Sequence, residues 1–165
     1  MKPVAIIMGS QTDFDVMKGA AEALATFGVK THVEIVSAHR TPQKMYDFAA
    51  SAADKYSLII AGAGGAAHLP GMVASLTTLP VIGVPITVGK LKGLDALLSI
   101  AQMPKGVPVA TVAVDNAINA GLIAARILSI DSPKLRAKLE KHQGAQRAKV
   151  RQMNKNIRKE LSARK

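Results

Sequence analysis

The chain has 165 residues, the usual size of one globular domain, and its 48% hydrophobic content excludes an intrinsically disordered protein. It contains no cysteine, which excludes disulfide bonds and cysteine-based metal sites. The tail carries almost all of the +11 net charge: residues 133–165 have twelve Lys or Arg against two Asp or Glu, whereas residues 1–132 have ten against nine. The near-neutral body makes nucleic acid an unlikely partner.

The first apolar run, Val4–Met8, is only five residues long before Gly9 interrupts it. A signal-peptide core or a membrane span needs a longer apolar stretch. We therefore expect a cytoplasmic protein with no membrane partner.

Short apolar runs alternate with helical patterns along the chain. The predicted strands are Val4–Met8, Thr31–Val36, Leu58–Ala61, Pro80–Val84 and Val107–Val112. The predicted helices are Asp13–Phe27, Pro42–Ala53, Leu69–Leu76, Asp95–Gln102 and Asn116–Ser129. Continuous Val and Ile runs are typical of strands covered on both faces, and the β-α alternation indicates a parallel sheet with right-handed crossovers. Residues 1–132 are thus predicted to form one three-layer α/β domain.

The segment 133–165 predicts a basic helical extension. Ser132 is a candidate N-cap and Pro133 suits the first turn of a helix. One or two long helices should follow, fraying over residues 162–165. Their apolar residues form a thin stripe, which is too narrow for a core helix but suits contact with a neighbouring subunit. The stripe residues are Val150, Met153, Ile157 and Leu161.

Three polar or glycine-rich segments follow predicted strands, where open α/β sheets bind ligands. The first contains Gly9, Ser10, Thr12 and Asp13. Glycine admits close backbone approach, the hydroxyls and the helix N-terminus can donate to a phosphate, and Asp13 can accept from sugar hydroxyls. Ordinary N-capping by Thr12 or Asp13 is the alternative.

The second segment runs from Ser37 through Ala38, His39 and Arg40 to the helix-starting pair Thr41-Pro42. Arginine offers a two-pronged donor for phosphate, and histidine can exchange a proton near neutral pH. The alternative is a surface cation beside a loop histidine.

The third segment contains Gly62, Ala63, Gly64 and Gly65, followed by His68 and Leu69. It fits the loose dinucleotide fingerprint only superficially, because it follows the third strand and no acidic residue lies about 20 positions later. It also lacks the Gly-Lys-Ser/Thr of a P-loop. Small residues of this kind predict a tight backbone pocket for a flat ring or for CO2. The alternative for His68 is a core or helix-capping role.

The remaining histidines, His32 in a strand and His142 in the tail, are expected to be structural or solvated. Catalytic zinc needs three protein ligands, so two histidines at candidate sites and no cysteine make a metal centre unlikely.

Taken together, the stretches MGSQTD, VSAHRTP and AGAGGAAHLPGM are similar to the signature stretches of the class I PurE family, the bacterial N5-carboxyaminoimidazole ribonucleotide mutases. The stretches LPVIGVP and LLSIAQMP also resemble that family. The likeness runs in order from about residue 4 to residue 129.

The resemblance implies a flavodoxin-like three-layer sandwich and a homo-octamer that acts in purine (IMP) biosynthesis without cofactor, metal or ATP. It implies that His39 is the general acid/base and that Asp13 holds the ribose hydroxyls. The implied phosphate contacts are Ser10, Thr12, Ser37 and Arg40, with Ala38 beside them. The implied carboxylate or CO2 pocket is formed by Gly62, Ala63, Gly64, Gly65, His68 and Leu69.

Some positions depart from the family pattern. Thr12 and Phe14 stand where serine and tryptophan are usual, and the stretch Thr87–Lys90 lacks a usual serine. Three other functions stay open: direct carboxylation of aminoimidazole ribonucleotide, a non-catalytic phospho-ligand-binding domain, and a nucleic-acid arm in the tail. A subunit clasp or a solvated helix is favoured over the arm.

Overall fold

In the computed structural model, which describes residues 1–163, five β-strands alternate with helices. The strands are β1 (Val4–Met8), β2 (Thr31–Ile35), β3 (Ile59–Gly64), β4 (Val81–Ile86) and β5 (Ala110–Thr111). The helices are α1 (Phe14–Thr26), α2 (Pro42–Lys55), α3 (Leu69–Ala74), α4 (Leu94–Ala101), α5 (Ala117–Leu128) and α6 (Pro133–Ala163). A short 3-10 helix over Gln11–Asp13 precedes α1. Every predicted element is present, and the tail forms one helix.

The five strands of the described chain form one parallel sheet in the order β2-β1-β3-β4-β5. Met8, at the end of β1, pairs with Ile35 of β2 on one side and with Gly62 of β3 on the other. Because the three strands are parallel, the loops that follow them leave the sheet at the same edge.

Helices α2, α3 and α4 cover one face of the sheet. Side chains of a strand point alternately to opposite faces. Ile7 and Ala61 belong to one buried cluster together with Met45 of α2, Val73 of α3 and Ile100 of α4. This cluster is the core on that face of the sheet.

Helices α1 and α5 form the layer on the opposite face. Met17 of α1 packs against Gly62 of β3, and Gly121 of α5 lies close to the backbone of α1. The predicted three-layer sandwich is therefore confirmed, and small residues allow its helices to approach closely.

Strand β2 differs from the expectation that every strand is covered on both faces. It lies at the edge of the sheet, and Val33 and Ile35 are 41% and 44% exposed. His32 is also exposed; its Nε2 lies 3.1 Å from Glu34 Oε2 and its ring 5.5 Å from that of Tyr56.

Two strand lengths also differ from the prediction. Strand β3 continues past Ala61 into the glycine-rich segment, because Gly64 pairs with Ile86 of β4. Strand β5 is reduced to Ala110–Thr111, against an expected Val107–Val112.

The chain divides into two compact units, Met1–Ile127 and a second unit that begins at Leu128. The predicted N-cap of α6 is present, since the Leu135 N–H donates to Ser132 Oγ at 3.3 Å. Fraying was expected over residues 162–165; Ser162 and Ala163 are helical, and 164–165 lie outside the described residues. The boundary at residue 132 stays a prediction. Among residues 1–163 no helix is long and apolar enough to cross a membrane.

Gly121→Ala is predicted to destabilise the fold. A Cβ at this position would lie 2.8 Å from the Ala20 carbonyl oxygen and 2.9 Å from Ala23 Cβ, so α1 and α5 would have to move apart. We expect the free energy of unfolding to fall by about 1–3 kcal/mol. Urea denaturation followed by far-UV circular dichroism measures it.

Gly144→Ala in α6 is the matched control, because no atom lies within 4 Å of a Cβ there. It should be neutral or should stabilise the helix by up to about 1 kcal/mol. Equal midpoints for Gly121→Ala and the unsubstituted chain would contradict the close approach of the two helices.

Candidate active site

A cavity of about 450 Å³ opens where the loops after β1, β2 and β3 meet. Eleven of the thirteen site residues singled out from the sequence line it, and the exceptions are Gly62 and Gly65. Gly62 packs against Met17 of α1, and Gly65 occupies a left-handed turn with φ of 63°. The tertiary structure thus brings together segments that are about 30 residues apart in sequence.

Three further residues line the cavity: Gly9, Ala66 and Val88. Gly9 and Ala66 belong to segments that the sequence had already marked as glycine-rich or polar. Val88 lies in the loop after β4, and only the departure of that loop from the family pattern drew attention to it.

The loop after β1 is held by a capping box. The Ser10 N–H donates to Asp13 Oδ2 at 2.9 Å, and the Thr12 N–H donates to Ser10 Oγ at 3.2 Å. Ser10 Oγ and Thr12 Oγ1 also share a hydrogen bond. Ser10 is therefore the N-cap of the 3-10 helix, whereas Asp13 occupies the N-cap position of α1 without a side-chain capping hydrogen bond to that helix. This arrangement fixes two hydroxyls and one carboxylate at the cavity.

Arg40 joins the loops after β1 and β2. Its Nη2 donates to the Gly9 carbonyl oxygen at 2.6 Å, and its Nε donates to Ser37 Oγ at 3.2 Å. The guanidinium is exposed on one side, so it remains able to donate to an anion. Arg40 is exposed, as the surface-cation alternative also expects, and these two bonds hold its guanidinium at the cavity.

Thr41 does not cap α2 with its side chain as the sequence suggested. Its hydroxyl donates to the Ser37 carbonyl oxygen at 3.0 Å and accepts from the Ser37 N–H at 3.3 Å. This closes the turn that carries Ala38, His39 and Arg40.

The wall formed by the end of β3 leaves no room for larger side chains. A Cβ on Gly64 would lie 2.9 Å from the Ile86 carbonyl oxygen and would overlap the Val88 side chain. Ala63 and Ala66 continue the wall along the cavity. The surface there consists of backbone and methyl groups, which suits a flat or small uncharged group.

Two histidines meet across the cavity. His39 Nε2 and His68 Nδ1 are 2.7 Å apart, and the rings stand edge to face at 87°. His68 occupies the N-cap position of α3 but its side chain makes no capping hydrogen bond. Both residues are exposed, so neither is a core histidine.

Asp13 is the buried carboxylate of the site. Burial raises the pKa of Asp13, and hydrogen bonds from Ser10 and the positive charge of Arg40 offset only part of that effect. The charged groups that line the cavity are thus one carboxylate and one guanidinium, beside two imidazoles.

Within residues 1–163 no group of three or more His, Cys, Asp or Glu side chains is placed to hold a metal ion.

Fold and site together define a flavodoxin-like α/β protein whose cavity combines anion-binding donors with a pair of imidazoles. The AIR carboxylase family model matches residues 3–149. The chain belongs to the AIR carboxylase family.

Several relatives are similar over most of the chain. An N5-carboxyaminoimidazole ribonucleotide mutase of Pyrococcus horikoshii is 56% identical over 93% of this chain and 88% of its own. The mutase of the same name from Aquifex aeolicus is 60% identical over 85% of each chain. The crystal structure of Treponema denticola PurE superposes with a TM-score of 0.83 and 28% identity, covering 90% of this chain and 94% of that one.

A plant relative is longer. The chloroplastic phosphoribosylaminoimidazole carboxylase of Vigna aconitifolia is 59% identical over 87% of this chain, which spans only 26% of the plant protein.

Asp13→Asn is predicted to change the pH dependence of stability. Because the folded-state pKa of Asp13 is raised above 3.8, the folded protein holds this proton more tightly. The associated stability is present below pH 3.8 and is lost as the pH rises through the raised pKa. The amide can still accept from Ser10. Relative to the unsubstituted chain, Asp13→Asn should therefore gain stability as the pH rises, as measured by urea midpoints between pH 3 and pH 7.

Asp15→Asn is the control of opposite sign. The hydrogen bond and charge of Lys18 hold the pKa of the exposed Asp15 below its usual value. Its contribution is present above pH 3.8 and is lost as the pH falls, so Asp15→Asn should lose relative stability as the pH rises. Parallel curves for Asp13→Asn and the unsubstituted chain would contradict the burial of Asp13.

Proposed function

We propose that the chain is an N5-carboxyaminoimidazole ribonucleotide mutase, an isomerase of de novo purine (IMP) biosynthesis. It moves the carboxylate from N5 to C4 of the aminoimidazole. The observation that carries the proposal is that His39 shares one cavity with hydroxyl and guanidinium donors and with an alanine-glycine wall. Relatives that carry this name match the chain over most of both lengths.

The phosphate of the ribonucleotide binds where the loops after β1 and β2 meet. Ser10, Thr12 and Ser37 supply hydroxyl groups there, and Arg40 supplies a guanidinium already held by Gly9. Donors that are fixed before the ligand arrives lose little freedom on binding. Thr12 keeps the hydroxyl that a serine would provide.

The ribose lies against Asp13. Its Oδ2 is occupied by the Ser10 N–H, which leaves Oδ1 to accept from a sugar hydroxyl. The imidazole ring then lies toward His39 and the wall that contains Ala63 and Gly64, while Ala38 lies beside the phosphate contacts.

The reaction has two halves in which His39 acts first as an acid and then as a base. As the N5–CO2 bond breaks, its electron pair returns to N5, which takes a proton from His39. The freed CO2 stays in the pocket, C4 attacks its carbon, and the C4 proton passes to the same imidazole. The proton count balances, so no cofactor, metal or ATP is required.

CO2 is held beside C4 by the wall at the end of β3. The residues that form this pocket are Ala63, Gly64, His68 and Leu69. Gly62 precedes them and packs against Met17, and Gly65 makes the left-handed turn that follows Gly64. Keeping CO2 near C4 avoids the entropic cost of a second encounter, an effect worth up to roughly 7–11 kcal/mol of barrier.

His39→Asn tests the proposal. Purified protein is mixed with N5-carboxyaminoimidazole ribonucleotide without ATP, metal or bicarbonate, and formation of the C4-carboxylated product is followed. The unsubstituted chain should turn over, and His39→Asn should lower kcat by about 10²–10⁴-fold because the proton carrier is lost. His32→Asn should retain activity, because it removes an imidazole of edge strand β2 that does not line the cavity.

Other outcomes assign other functions. Turnover of aminoimidazole ribonucleotide with CO2, without turnover of the N5-carboxylated compound, would make the chain a direct carboxylase, the activity in the name of the plant relative. Binding without turnover of either compound would leave a phospho-ligand-binding domain.

The proposal also includes a homo-octamer in the cytoplasm. Large apolar side chains exposed on the single chain support assembly: Val33 and Ile35 on β2, and Leu94 and Leu98 on α4, which are 55% and 50% exposed. The α6 stripe is exposed as well, from Val150 to Leu161.

Light scattering of the full chain should give eight times the 17.3 kDa mass of one subunit. A chain that ends at Ser132 should lose the octamer if α6 is a subunit clasp. An intact octamer that has lost salt-dependent DNA binding would instead favour the nucleic-acid arm.

A further inference from the structure

The hydrogen bond between His39 and His68 restricts the protonation of both rings. A neutral imidazole has one N–H and one bare nitrogen, whereas an imidazolium has two N–H groups. The hydrogen bond between His39 Nε2 and His68 Nδ1, which are 2.7 Å apart, therefore contains one proton, and one ring must present a bare nitrogen to it. While the bond is intact, the pair carries at most one positive charge.

The bond also joins two separate segments of the site. His39 lies in the turn between β2 and α2, and His68 begins α3 after the alanine-glycine wall. The edge-to-face arrangement, with ring centroids 4.9 Å apart, aims one nitrogen of each ring at the other. His68 is exposed and its side chain makes no capping hydrogen bond to α3. Its ring instead forms the hydrogen bond with His39.

We propose that His68 is a positioning residue for His39. Its bare Nδ1 accepts from His39 Nε2, which fixes the orientation and the tautomer of His39 and leaves His39 Nδ1 to exchange the proton with the substrate. This inference rests on the proposed function, in which His39 moves that proton.

The proton count of the cycle agrees with this direction of the bond. The imidazolium form of His39 has N–H groups on both nitrogens, with Nε2–H donated to His68. When Nδ1–H passes to N5 of the substrate, the Nε2–H bond is unchanged, and the C4 proton later returns to Nδ1. The proton shared by His39 and His68 does not move, so the His39 ring keeps its orientation through both halves of the reaction.

Two substitutions of His68 distinguish a role in positioning His39 from a role in merely filling the wall of the pocket. His68→Asn places an amide oxygen near the position of Nδ1 that can accept from His39, whereas His68→Ala removes the acceptor. We expect His68→Ala to lower kcat by about 10–100-fold with KM within about threefold, because a small displacement of the reacting group is costly. We expect His68→Asn to remain within about threefold of the unsubstituted chain in kcat. His32→Asn is again the control.

Unchanged kcat in His68→Ala would overturn the proposal. Equal loss in His68→Asn and His68→Ala would also overturn it, since a wall role depends on the volume that both variants lack. Thermal unfolding of each variant identifies any loss caused by misfolding.

A second measurement does not depend on turnover. Long-range 1H–15N spectra of the histidine-labelled chain report which nitrogen carries the proton. We expect His39 to be protonated at Nε2 near neutral pH and this signal to change in His68→Ala but not in His32→Asn. A His39 protonated at Nδ1, or a signal that is indifferent to His68→Ala, would overturn the pairing. Absence of mutase turnover in the unsubstituted chain would instead overturn the proposed function, and the spectra would still decide the pairing.

Discussion

Strand β1 pairs with β2 on one side and with β3 on the other, and all three strands run in the same direction. The site depends on this pairing, because it makes the three following loops leave the sheet at one edge. Arg40 then ties the first loop to the second through Gly9 and Ser37, and the histidine bond ties the second to the third. Polar groups that lie far apart in the sequence are held within a few ångströms by backbone pairing and two side-chain links.

Small side chains allow the helices and strands around the cavity to pack closely. With only 3% aromatic residues, the chain fills its layers with Ala, Gly and aliphatic residues. Gly121 lets α5 approach the backbone of α1, and Gly64 lets the end of β3 lie against the loop after β4. Close packing of this kind tolerates few additions of volume, which holds the wall of the cavity at a fixed distance from His39.

The chemistry expected of the site needs little charge of its own. The cavity holds one buried carboxylate and one guanidinium, and the proposed ligand would bring both a phosphate and a carboxylate. The imidazole pair adds at most one positive charge while its bond is intact. A neutral alanine-glycine wall beside these groups suits CO2, which has no charge to be solvated.

The sequence by itself determined the α/β class, the order of the elements and the three segments that carry the site. These features are encoded locally, in continuous apolar runs, in glycine-rich junctions and in the prolines at which helices begin. The structure has helix starts at Pro42 and Pro133. Eleven of the thirteen residues singled out from these segments and from the likeness to the PurE family line the cavity.

Only the tertiary structure decided the rest. It placed β2 at an edge, extended β3 to Gly64, made Ser10 the cap of a short 3-10 helix before α1 and gave Val88 a place in the cavity. It also joined His39 to His68, two residues that no periodicity connects. These features arise from contacts between distant segments. A sequence pattern reports how each segment prefers to fold, whereas the partner of each side chain is fixed when the sheet brings the loops together.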